Sequence, residues 1–100
     1  MIDFHNNTKY KIFHTSDFKK DYKKVKKQGK DIEKLKDIIE KLANGEDLPS
    51  YNHNHALYDN RKYKGCGECH IEPDWLLVYK YQNDKLILLL VATGSHSNLF

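Results

Sequence analysis

The sequence predicts an α+β domain: an N-terminal strand and an αα-hairpin packed on one face of a small, mainly antiparallel sheet. Three observations carry this. Apolar residues recur at helical spacing over residues 18–25 and 32–42. Three β-rich runs follow residue 63, joined by links short enough for hairpins. Finally, 100 residues with 39% hydrophobic content supply one modest core, so residues 1–100 are expected to form a single domain.

Tyr10 to Phe13 alternates as a short strand. Ser16 is the expected cap of the first helix, its hydroxyl accepting from a free N–H of the first turn. Phe18, Tyr22 and Val25 form one apolar stripe. Lys19, Lys20, Lys23, Lys24, Lys26 and Lys27 occupy most of the remaining surface, and Gly29 ends the helix. A second helix begins near Asp31, carries Ile32, Leu35, Ile38, Ile39 and Leu42 on one face, and stops at Asn44-Gly45. Two adjacent helices of this kind form a hairpin whose apolar faces need a sheet to cover.

Residues 46–54 read as a loop. Strands are expected at Lys64–Ile71, Trp75–Tyr81 and Leu86–Thr93, with turns at 72–74 and 82–85. The last run is apolar at every position from Leu86 to Val91, which predicts a central strand buried on both faces. A short tail, His96 to Phe100, follows.

Mean hydropathy is −0.81 and 31% of residues are charged. No apolar run approaches the roughly 18–20 residues of a membrane span. The N-terminus has no apolar signal-peptide core, so a cytoplasmic location without membrane partners is expected. Of 17 basic residues only Arg61 is not lysine, and net charge is +3. Residues 9–36 hold eleven lysines against four acids. Such a block suits a polyanion or an acidic protein partner, or is a solvated helix face.

Cys66 and Cys69 form a C-x-x-C without a second pair. On a strand, positions three apart point to opposite faces, which disfavours a chelate or redox pair and favours packing thiols. Six histidines in 100 residues are many. His5 and His14 fit no motif. His53, His55, His70 and His96 lie in loops or at element ends; Asp74 follows the His70 strand, and Glu68 shares a face with His70. Histidines beside an acid suit general acid–base chemistry, because imidazole titrates near neutral pH. Cleavage of RNA by its own 2′-hydroxyl needs such a set, with a cation for the phosphorane charge. Metal ligation and unrelated surface histidines are the rival readings; the spacings match no tight zinc pattern.

The run Glu68-Cys-His-Ile-Glu-Pro-Asp-Trp-Leu-Leu-Val-Tyr79, followed by Thr93-Gly-Ser-His-Ser-Asn-Leu-Phe100, resembles the YafQ branch of the RelE-like toxins. His55-Ala-Leu57 and the strand leading into a lysine-rich αα-hairpin fit as well. The resemblance covers nearly the whole chain. It implies a RelE-like fold and the toxin of a bacterial type II toxin–antitoxin module. It also implies a ribosome-dependent endoribonuclease, an mRNA interferase that cuts A-site mRNA without a metal or other cofactor. His55, His70, Asp74 and His96 fall on the catalytic set of that branch, and Phe100 on its C-terminal aromatic. The lysines would then meet ribosomal RNA phosphates. The other implied partner is a cognate antitoxin of the DinJ/RelB kind, through which operator DNA is reached.

The departures concern arginine. The positions before Glu-Cys-His and before Thr-Gly-Ser-His are usually Arg in that family; here they are Gly67 and Ala92. A guanidinium offers phosphate a planar fork that neither can replace. The expectation is an attenuated or inactive toxin. Restoring Ala92→Arg, with or without Gly67→Arg, should raise toxicity. The alternative reading is a catalytically inactive toxin-fold module that binds antitoxin and acts as a transcriptional co-repressor.

Overall fold

The computed structural model describes residues 7–58 and 60–100; His5 lies outside them. The elements are β1 (Lys11–His14), α1 (Ser16–Lys27), α2 (Ile32–Ala43), β2 (His55–Ala56), β3 (Gly67–Glu72), β4 (Trp75–Gln82), β5 (Ile87–Gly94) and α3 (His96–Leu99). They form one five-stranded sheet in the order β1-β5-β4-β3-β2. Strands β2 to β5 pair antiparallel, while β1 runs parallel to β5. The α+β class, the αα-hairpin and the mainly antiparallel sheet therefore stand.

The cap of α1 is Thr15, not Ser16. Its Oγ1 accepts from the Phe18 N–H (3.0 Å) and also donates to the Val91 carbonyl (2.9 Å). Only the residue one place earlier can both close the first turn and reach β5. Helix α2 begins as its sequence implies, with the Asp31 carboxylate accepting from Glu33 N–H. Gly29 and Gly45 take left-handed backbone (φ +81° and +73°) just past the two helix ends.

The alternation of the strands divides the molecule into two clusters. Trp75, Leu77 and Tyr79 of β4, Leu88 and Leu90 of β5 and Cys69 of β3 lie under Phe18, Tyr22, Val25, Leu35, Ile39 and Leu42 of the hairpin. On the opposite face Leu76, Val78 and Ala92 are covered by Tyr63, Cys66 and Leu99. The central strand is thus β4, with Trp75 to Tyr79 all buried, rather than β5. Ile87, Leu89 and Val91 are only half-buried, because the second cluster covers β5 only near its C-terminal end.

A bulge in β5 sets where the C-terminal segment points. Tyr79 pairs with Leu90 but Val78 pairs with Ala92, leaving Val91 as the extra residue. Leu90 and Ala92 consequently face opposite sides of the sheet. Thr93 faces the hairpin, where it is buried. It receives the Trp75 indole N–H (3.0 Å) and donates to the Leu76 carbonyl (2.7 Å).

Candidate active site

The face away from the hairpin carries the sequence-predicted residues in cross-strand rows. His55 of β2 lies opposite Glu68 of β3, Glu68 opposite Val78, and Val78 opposite Ala92. In the next row His70 lies opposite Leu76, and Leu76 opposite Gly94. Two interstrand spacings separate His70 from Gly94, roughly 10 Å. His96 follows two residues later.

The first group centres on Glu68, whose side chain is only 8% exposed. Its Oε1 lies 3.2 Å from His55 Nε2 and 3.5 Å from His70 Nε2. On the other side of each ring stands a backbone carbonyl: Ala56 O at 3.2 Å from His55 Nδ1, and Pro73 O at 3.2 Å from His70 Nδ1. Each nitrogen of these two rings therefore has an oxygen nearby, whichever one carries the hydrogen. Glu68 can hold both rings and exchange a proton with either. Sequence alternation put Glu68 on this face but gave it no role; its contact with His55 depends on a two-residue strand that the sequence does not announce.

A tight loop delivers β2 to this place. Asn52, buried in a 3-10 turn, donates from Nδ2 to the His70 carbonyl (2.7 Å). His53 then takes left-handed backbone (φ +46°), and its ring meets that of His70 edge-on at 5.4 Å. The Tyr79 hydroxyl donates to Asn54 Oδ1, immediately before His55.

The second group is at the other end. Asp74, in the turn after β3, accepts from the His96 backbone N–H through Oδ1 (3.0 Å). This ties the turn to the first residue of α3. The His96 ring packs on Phe100 (centroids 5.1 Å), and Phe100 meets Tyr63 edge-on at 5.5 Å. Phe100 is 42% exposed, open enough to present a ring face. Asp74 thus touches His96 by its main chain, and the His70 and His96 rings keep separate partners. The predicted set forms two groups flanking a stretch of sheet, one on each side of Leu76. Tyr63, which seats Phe100, carried no motif that would have singled it out.

Gly67 and Ala92 differ in position. Ala92 is 3% exposed and on the face of Glu68 and His55. Gly67 shares the side of Cys69 and Tyr79, and a Cβ built on it would sit 2.7 Å from Tyr79 Cζ. An arginine there must displace a ring that Asn54 holds. A cavity of about 360 Å³ remains beside His55, bordered by Asn54, Gly67, Tyr79 and Tyr81.

Cys66 and Cys69 belong to opposite clusters, and both are free thiols. Burial pushes the Cys69 thiol up to about 12, so it stays protonated at neutral pH. Among the described residues no group of three His, Cys, Asp or Glu side chains is arranged to hold a metal ion. No helix among them is long and apolar enough to cross a membrane. The six lysines of α1 are all exposed but face different ways. Lys19, Lys23 and Lys26 border a shallow cavity beside Tyr22, whereas Lys20 lies toward Ala92 and α3.

The family described as "Bacterial toxin of type II toxin-antitoxin system, YafQ" matches residues 10–100. The mRNA interferase toxin YafQ of Escherichia coli BL21-DE3 is 40% identical over 90 residues, spanning 89% of this chain and 94% of that protein. YafQ in the E. coli DinJ-YafQ complex superposes with a TM-score of 0.81 at 36% identity, covering 91% of this chain and 98% of the other. A metal-bound toxin from Helicobacter pylori gives 0.84 at 36% identity, covering 91% and 99%. This chain is a member of the YafQ family of bacterial type II toxin–antitoxin toxins.

Proposed function

We propose that the chain is the toxin of a type II module and an mRNA interferase, cleaving translated mRNA on the ribosome by acid–base attack of the 2′-hydroxyl. The observation that carries this reading is the pair of histidine groups on one sheet face: His55 and His70 on Glu68, and His96 with Asp74 and Phe100. A phosphodiester bridging the two groups would have a proton acceptor on one side and a donor on the other, as in-line displacement requires. Asp74 holds α3 through the His96 N–H, and His70 carries the complementary proton transfer. Phe100 stacks a base, a contact worth about 1–3 kcal/mol.

The relatives' names support the activity, and the DinJ complex supports an antitoxin partner that neutralises the site. That antitoxin links the toxin to operator DNA. The exposed lysines of α1 suit ribosomal RNA. The reaction uses proton transfer by these side chains and needs no metal. A cytoplasmic location follows from a ribosomal target.

Turnover is attenuated, because neither residue 67 nor residue 92 offers a guanidinium. A second reading, an inactive toxin-fold co-repressor, is favoured by one observation, the buried methyl of Ala92 where a cation would serve. Translation-dependent mRNA cleavage decides between them. Cleavage that His96→Ala abolishes supports the nuclease. Antitoxin and operator binding with no cleavage, even after Ala92→Arg, would establish the co-repressor.

A further inference from the structure

Next to the histidine groups, between α1 and the loop that leads into β3, lies a cleft of about 320 Å³. Ala92 forms part of its floor, and Asn98 of α3 closes one side. Lys20 enters from α1 and Lys62 from the loop, both with exposed side chains. The space exists because residue 92 ends at Cβ, and the bulge at Val91 turns that Cβ toward the cleft's side of the sheet.

The cleft continues the candidate active site. Lys62 precedes Tyr63, with its Nζ 5.2 Å from the Tyr63 ring. The ring of Tyr63 meets Phe100, and Phe100 meets His96. A strand that stacks on Phe100 therefore brings an adjoining part of its backbone over Lys62. Two acids, Asp17 and Asp21, also border the cleft, and Asp21 lies within the electrostatic reach of Lys62. Asp21 is already committed to the protein: it accepts from the Thr93 N–H at 3.2 Å.

We propose that this cleft is a phosphate subsite for the substrate RNA strand, in which Lys62, with Lys20 from α1, supplies the cation that residues 67 and 92 do not. The inference rests on the mRNA-cleaving reading. It also explains why activity is attenuated rather than absent: an ammonium is a single point charge, whereas a guanidinium binds phosphate through two parallel bonds.

Two measurements on the full chain test it. In a reconstituted translation system, Lys62→Ala lowers mRNA cleavage at least about tenfold. Lys62→Arg retains cleavage, and Lys20→Ala has the smaller effect. Ala92→Arg raises cleavage more in the Lys62→Ala background than in the parent, because it replaces a lost cation. Separately, binding of an oligoribonucleotide made uncleavable by 2′-O-methylation is measured against salt. Lys62→Ala should reduce the slope of log affinity against log salt by about one. An unchanged slope overturns the proposal. So does an Ala92→Arg gain that is equal in both backgrounds, or weakened antitoxin binding with RNA binding intact. If the chain cleaves no translated mRNA even after Ala92→Arg, the nuclease reading fails, and the salt slope alone decides whether the phosphate subsite exists.

Discussion

The two faces of one sheet are built from the same strands, yet they solve different problems. The hairpin face is dry: Trp75, Leu77, Leu88 and Leu90 are fully buried beneath Phe18 and α2. Its buried threonine, Thr93, is satisfied by the Trp75 indole and the Leu76 carbonyl. The opposite face holds a smaller cluster and keeps its polar side chains reachable at the rim, with His55 and His96 exposed. One face holds the larger buried core and the other presents the histidine groups. Substitutions should therefore move one property and leave the other nearly untouched.

The sharpest test is His96→Ala. Cleavage of translated mRNA should fall about 10²–10⁴-fold, the range for losing a general acid or base. Unfolding free energy in urea should stay within about 0.5 kcal/mol of the parent, as for other exposed positions. Phe18→Ala is the converse. It should cost about 3–5 kcal/mol of stability, read from the denaturation midpoint, while the folded fraction still cleaves. A fall in specific activity of folded Phe18→Ala protein would break the division of labour.

A finer test lies within the site face. Glu68→Gln keeps the shape but removes the charge that His55 and His70 share. Cleavage should drop about tenfold, or 1.4 kcal/mol in the barrier. In NMR spectra the ring signals of His55 and His70 should move and those of His96 should not. Equal movement of all three would show that the two histidine groups are one.

The smallest expected effect concerns Asp21, which reaches across to Thr93. Burial pushes its carboxyl above the ordinary 3.8, while the Thr93 N–H pulls it partly back. A carboxyl raised on folding favours the folded state when protonated. That contribution is complete below pH 3.8 and is lost as pH rises through the raised value. Asp21→Asn, which keeps an acceptor for Thr93, should be slightly more stable than the parent at pH 7. The difference should vanish at pH 3. A gain that persists at low pH would point to a cause other than the charge.

Much of this was legible from residue patterns. Helix α2 is marked at both ends by Asp31 and Asn44-Gly45, and its stripe is unambiguous over three turns. Cys66 and Cys69 do fall on opposite sides, although β3 begins only at Gly67 and the expected start at Lys64 is a turn. What the patterns could not show is long-range. Strand β2 is two residues long and exists only because Asn52 and Asn54 dock its loop. Adjacent hydroxyls at Thr15 and Ser16 compete for one cap, and the contact with Val91 decides between them. The apolar run of β5 suggested a central strand, but burial depends on which elements cover each face. The meeting of Lys62 with Ala92 joins segments thirty positions apart in sequence, and no local signal reports it.

The extra residue in β5 has a consequence for how such a site can change. Val91 acts as a spacer in a reading frame: everything after it is read on the opposite side from everything before it. Were Val91 paired opposite Val78 as an ordinary strand residue, Ala92 and Thr93 would exchange addresses, sending a buried hydroxyl to the histidine side and a methyl into the core. Thr15 holds that spacer's carbonyl while it starts α1. Two distant instructions, where a helix begins and which way the C-terminal tail looks, are therefore written on one hydroxyl, and neither can drift without the other.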